Sequence, residues 1–171
     1  KVLKKNKISV PIVVDPIYKS TTNTIFNKKS DYQEIYKILS KLKPVFTPNL
    51  YELKILLDLK KIDDIDIMIM NFYKKFKCPI VLTNAGNKEE KCEDFFLNDE
   101  KEIERVSSNK ISSRNTHGSG CSFSSALAVY LGRGFSIAES ICSSKKLINK
   151  YITQSPDFNL KYGPMGHWLT S

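Results

Sequence analysis

Short apolar runs alternate along this chain with segments whose apolar residues recur every three or four positions. Val10-Pro-Ile-Val-Val-Asp15-Pro16 is the first run, nearly continuous and closed by an acid and a proline. It predicts a buried parallel strand, whose carboxyl end is where open α/β sheets place ligand-binding groups. Residues 19–30 are polar and predict a loop, after which Tyr32, Ile35, Tyr36, Leu39 and Leu42 keep helical spacing. Pro44-Val45-Phe46-Thr47 predicts a second strand, ending at Pro48. A helix starts at Asn49 with Leu50, Leu53, Leu56 and Leu57 facing inward. Another covers residues 64–77 on Ile65, Met68, Ile69, Phe72 and Phe76, with Asp63 and Asp64 at its positive start. Residues 79–83 form a third buried strand, and 92–97 with 103–106 a small strand pair around the turn Asn98-Asp99. Two helices follow, near 121–131 and 136–151, before a turn-rich tail with Tyr162-Gly163-Pro164. Strands alternating with helices predict an α/β fold, a mostly parallel sheet covered on both faces, within one domain.

The last two helices are introduced by Arg114-Asn115-Thr116-His117-Gly118-Ser119-Gly120-Cys121-Ser122, after which Phe123, Leu127, Tyr130 and Leu131 take up the helical rhythm. The first amides of a helix lack internal partners and carry the positive end of its dipole, so such a loop can bind an anion. Glycines let the backbone approach a phosphate closely, and a cysteine there is expected to gain thiolate character. Gly-Ser-Gly before a helix also reads as a plain turn. The loop is neither a GxxxxGK[ST] P-loop nor a dinucleotide fingerprint, since Phe123 stands at the third glycine position. Asn49 and Glu52 divide in the same way. They form a capping-box pattern, and they also share a helix face on which an amide oxygen and a carboxylate can hold water or magnesium against phosphates.

Composition narrows the choices. The chain has 171 residues, 41% hydrophobic and 11% aromatic, which suits a globular domain with a real core. Its formal charge of +9 comes mostly from dispersed lysines, so a nucleic-acid surface is not expected, although the field favours an anionic, phosphorylated ligand. No run approaches 18 apolar residues and no secretory segment opens the chain, which predicts no membrane partner. The four cysteines, Cys78, Cys92, Cys121 and Cys142, show no metal-ligand spacing and predict reduced thiols in a cytoplasmic setting. A start at Lys1, running almost at once into an apolar segment, predicts a piece of a longer polypeptide.

Asn115-Thr116-His117-Gly118-Ser119-Gly120-Cys121-Ser122 resembles the NTHGTGCT signature of the hydroxymethylpyrimidine/phosphomethylpyrimidine kinases, in the ribokinase-like superfamily. Weaker likenesses follow the family's order: Val14-Asp15-Pro16-Ile17, Thr47-Pro48-Asn49-Leu50-Tyr51-Glu52, Ser144-Lys145-Lys146 and the closing Gly163-Pro164-Met165-Gly166-His167. The resemblance implies ATP-dependent phosphorylation of 4-amino-5-hydroxymethyl-2-methylpyrimidine or its phosphate, in thiamine biosynthesis. It implies Cys121 as catalytic base, with the amides of Gly118, Ser119, Gly120 and Cys121 as anion hole. Asn49, Glu52, Asn84, Thr116 and Lys145 would lie on the nucleotide side, and Asp15 with Glu52 beside magnesium. A solvated helix lysine is the other reading of Lys145. Some pyridoxal kinases share the cysteine, so pyridoxal is a second expected substrate.

Two departures qualify the likeness. Asn84-Ala85-Gly86-Asn87 stands where family members usually carry Lys-Gly-Gly-His, which removes a phosphate-contacting charge and allows a catalytically weakened ATP-binding relative. The family's N-terminal portion, with most pyrimidine contacts, has no counterpart, so the domain is expected to be incomplete and to need a pairing partner, such as a second copy in a homodimer. A cysteine hydrolase built on Cys121 with His117 or His167 is the remaining class, without an identifiable orienting residue.

Overall fold

The element order is β1 (Val13–Val14), α1 (Lys29–Leu39) with a 3-10 turn at Ser40–Leu42, β2 (Val45–Phe46), α2 (Leu50–Leu57), α3 (Ile65–Phe76), β3 (Val81–Lys88), β4 (Lys91–Leu97), β5 (Ile103–Asn109), α4 (Ser119–Gly132) and α5 (Ile137–Gln154). The computed structural model describes residues 10–20, 24–26, 28–62, 64–88, 90–160 and 163–168. Asp63, Tyr162 and the side chain of Asn87 lie outside them.

β1 and β2 pair in parallel, Val13 opposite Val45 and Val14 opposite Phe46. Parallel bridges Phe46–Ile80 and Asn49–Thr83 carry the pairing on to the start of β3. Beyond it, β3, β4 and β5 form an antiparallel meander. β1 is shorter than its apolar run because prolines 11 and 16 cannot donate to a ladder. β3 is longer than expected. Its polar stretch has no strand signal of its own, but pairing with β4 draws it into the sheet through Lys88, across a register shift between Leu82 and Gly86.

Alternation along each strand sends successive residues to two separate cores. Val14, Phe46, Ile80, Leu82 and Leu97 join an aromatic-rich cluster with Tyr32, Leu53, Leu56, Met68, Ile69, Phe72 and Phe76 from α1, α2 and α3. Val13, Val45, Val81 and Phe96 turn the other way, onto Phe123 and Leu127 of α4 and Ile141, Ile148 and Ile152 of α5. Helices therefore cover both faces. Phe46 alone stacks edge-on to Phe72 at 5.3 Å between ring centroids, fixing β2 against α3.

Helix starts follow local chemistry. Asp64 accepts from the amides of Asp66 and Ile67. Ser136 and Glu139 close a capping box on α5. A buried hydroxyl pair, Thr47 Oγ1 and Ser124 Oγ at 2.9 Å, pins the first turns of α4 to the end of β2. No described helix is long and apolar enough to cross a membrane.

Candidate active site

The N-cap of α4 is Gly118 at φ +84°, a left-handed conformation that suits glycine, and no side chain caps the helix. The Ser119 amide donates to the Thr116 carbonyl oxygen at 3.2 Å, so it is already engaged. Gly120 has no positive φ, and a Cβ built there would meet nothing within 4 Å. The chain's own packing does not require glycine at that point. The close approach of a ligand to the backbone would.

The closing tail holds this loop from behind. Gly163 donates to the Arg114 carbonyl oxygen at 2.9 Å, and the His117 amide donates to the Gly163 carbonyl oxygen at 3.1 Å. Asn115 Nδ2 reaches the Pro156 carbonyl oxygen at 2.9 Å. A Cβ on Gly163 would fall 1.9 Å from Asn115 Oδ1, so any other residue there would displace the Asn115 side chain from its bond to Pro156. The tail, read from sequence without a catalytic role, is thus the support of the loop. Ser122 Oγ and His167 Nε2 are 2.7 Å apart, so His167 is committed to Ser122 rather than to Cys121.

Cys121 meets Asp15, at the end of β1, and its thiol donates to the Asp15 carboxylate. The expected gain of thiolate character is overturned. Partial burial and the neighbouring Asp15 charge push the thiol up to about 11, against any help from the helix dipole. Burial also raises Asp15 above the ordinary carboxylate range. Glu52 is raised to about 7, first by burial and then by Asp15, against the hydrogen bonds it accepts. Those come from the Asn49 amide on Oε2 at 2.9 Å and the Tyr18 amide on Oε1 at 3.4 Å. The Glu52 amide returns the bond to Asn49 Oδ1 at 2.9 Å, completing the capping box.

Asp15, after β1, and Glu52, in the first turn of α2, are thus near enough for the Asp15 charge to raise Glu52. The pair is a hard-oxygen donor set short of a full cage, since no group of three or more His, Cys, Asp or Glu among the described residues could hold a metal. It fits magnesium of the kind that keeps waters and phosphate oxygens as its other ligands.

A cavity of about 360 Å³ opens beside the loop. Thr116, Ser119, Gly120, Thr83, Asn84 and Lys145 line its polar wall, and Ile111, Phe123, Ile148 and Ile152 an apolar one. Lys145 is not solvated. It is 9% exposed, and its ammonium lies 2.6 Å from Asp94 Oδ2. Asn84 is exposed, at a left-handed φ of +50°, and its amide donates to Asp94 Oδ1 at 2.8 Å. Asp94 escapes a sequence reading of the site. Its one signal is an acid at a core-facing register position, beside the apolar Phe95-Phe96-Leu97 of β4.

Comparisons with known proteins bear on the family and the fold. Pyridoxine kinase of Bacillus subtilis is 31% identical over 169 residues, 95% of this chain and 61% of that protein. Hydroxymethylpyrimidine/phosphomethylpyrimidine kinase of Staphylococcus aureus is 25% identical across 94% of this chain and 59% of its own length. Among solved structures, an ADP complex of Bacillus subtilis pyridoxal kinase superposes with a TM-score of 0.75 at 28% identity, over 96% of this chain and 62% of that one. Staphylococcus aureus pyridoxal kinase with AMP-PCP shares the fold, with a TM-score of 0.79 at 24% identity over 97% and 60%. The chain thus spans about three fifths of the length of these relatives. The family model described as phosphomethylpyrimidine kinase matches residues 1–166, and the chain, α/β and ribokinase-like in fold, belongs to that family.

Proposed function

We propose that this chain carries the nucleotide and catalytic half of a cytoplasmic kinase that phosphorylates hydroxymethylpyrimidine or its phosphate with ATP, in thiamine biosynthesis. The observation that carries the reading is the start of α4. An uncapped helix, opened by Gly120 onto a cavity, presents Cys121 in contact with Asp15. Phosphoryl transfer needs positioning and charge neutralisation more than covalent catalysis. The first-turn amides, Gly120 foremost, hold the oxygens of the moving phosphoryl group. The acceptor's hydroxyl oxygen attacks phosphorus, the bond to the ADP oxygen breaks, and Cys121 Sγ takes the hydroxyl proton.

Cys121 must be a thiolate to do so. Magnesium held near Asp15 and Glu52 would offset the Asp15 charge that, with burial, keeps the Cys121 thiol raised, and the helix dipole acts in the same direction. Magnesium bound by Asp15 and Glu52, with Asn49 ordering its waters, would neutralise phosphate charge. Asn84, Thr116 and Lys145 lie on the nucleotide side. The likeness to a pyridoxine kinase favours pyridoxal as the second acceptor. Asn84, a neutral residue where relatives carry lysine, favours slow turnover.

The test is ADP release by the complete parent polypeptide with magnesium-ATP and, separately, hydroxymethylpyrimidine, its phosphate and pyridoxal. Turnover with a pyrimidine is the expected outcome. Turnover with pyridoxal alone moves the substrate assignment. Nucleotide binding without any turnover makes the chain a weakened relative.

A further inference from the structure

We infer that Asp94 is the positioning residue of the nucleotide cavity, tying Lys145 of α5 and the Asn84 register shift of β3 to one buried carboxylate. The inference rests on the reading of this cavity as a nucleotide site and adds a residue to it. Asp94 is 1% exposed, and its two oxygens are divided between separate elements. Oδ2 receives the Lys145 ammonium at 2.6 Å, and Oδ1 the Asn84 amide at 2.8 Å. Asp94, Lys145 and Asn84 all line the cavity wall shared with Ser119 and Gly120.

Burying an ion pair is a weak way to stabilise a fold, because desolvation offsets the attraction, and well-packed apolar residues often do as well. What the pair secures is geometry. A lysine side chain is long and flexible, and fixing its head removes rotamer freedom before any ligand arrives. Among the described residues Asp94 Oδ2 is the acceptor facing that ammonium, which carries three donors, so donors are left for phosphate oxygens. The same carboxylate holds the amide of Asn84, a non-glycine residue at φ +50°, and so sets where this irregular stretch of β3 meets the cavity. Alone, Asp94 would repel a polyanion. Paired with Lys145, it presents no net charge and a fixed donor.

The readout is the affinity of the full chain for magnesium-ATP and for adenosine, by calorimetric titration, with Tm recorded alongside. D94N is isosteric and keeps an acceptor for the Asn84 amide, but loses the anchor for Lys145. The preference for ATP over adenosine should fall at least tenfold in D94N, with adenosine affinity unchanged. D94E, which keeps the charge at a longer reach, should lose less of that preference despite its extra methylene. A merely structural carboxylate ranks the two the other way and lowers both affinities with Tm. Either that ranking or a D94N indistinguishable from the unsubstituted chain overturns the inference. An unsubstituted chain that binds neither ligand overturns the nucleotide reading beneath it.

Discussion

The starts of α2 and α4 are brought close by the Thr47–Ser124 hydroxyl pair and are finished in opposite ways. At α2, Asn49 and Glu52 satisfy each other's amides, and the Glu52 carboxylate also accepts from Tyr18. At α4, the cap is a glycine without a side chain, and the next glycine leaves open space. A helix N-terminus is an anion site only when its amides are left free. The capped start serves the fold and holds a buried carboxylate whose oxygens accept from Asn49 and Tyr18. The uncapped start offers amides. On the proposed function, the first would serve the cation and the second the phosphate it accompanies.

The sharpest way to break this contrast is at Cys121. C121A should lower phosphoryl transfer by roughly 10²–10⁴-fold, the range of a lost general base, with nucleotide affinity intact in a binding titration. Loss of both together would mean that the thiol supports the loop rather than the chemistry.

Glu52 gives the next effect, in stability. Its folded value of about 7 lies above its ordinary value of 4.5. Between those values the folded state holds a proton that the unfolded state has released, so stability falls as pH rises through the window. The full cost, about 3 kcal/mol at most, is present above pH 7 and absent below 4.5. Denaturant titrations in magnesium-free buffer should show that slope, and E52Q should flatten it. An unchanged slope in E52Q would assign the dependence elsewhere.

G120A separates the two roles of a helix start. Alanine has space there and better helix propensity, so stability should hold or rise by up to about 1 kcal/mol. ATP affinity should drop about tenfold, which corresponds to roughly 1.4 kcal/mol. A variant that binds ATP normally would mean that no ligand approaches the backbone at this residue. The smallest effect belongs to N49A, where losing the cap should cost about 1 kcal/mol in chemical denaturation. A larger activity loss than that stability change explains would show that Asn49 also serves the ligand.

Much of the fold was legible in advance because its signals are local. The apolar periodicity of Ile65 to Phe76 and the capping residues Asn49, Asp64 and Ser136 act within one or two turns. The length of β3 was not legible, since pairing with β4 overrides the weak propensity of its Asn84–Asn87 stretch. From its residues alone the glycine loop could be read either as a plain turn or as an anion site. The state of the cysteine inside it could not.

The sequence by itself determined the order of elements, the capping pair at the start of α2 and the family. Each depends on residues within a few positions of one another or on a whole linear pattern. Only the tertiary structure decided that Cys121 rests protonated on Asp15, that Glu52 answers to Tyr18, and that Lys145 is buried against Asp94, 51 residues away. These depend on burial and on charges brought together across the sheet, and electrostatic energies follow distance in space rather than separation along the chain.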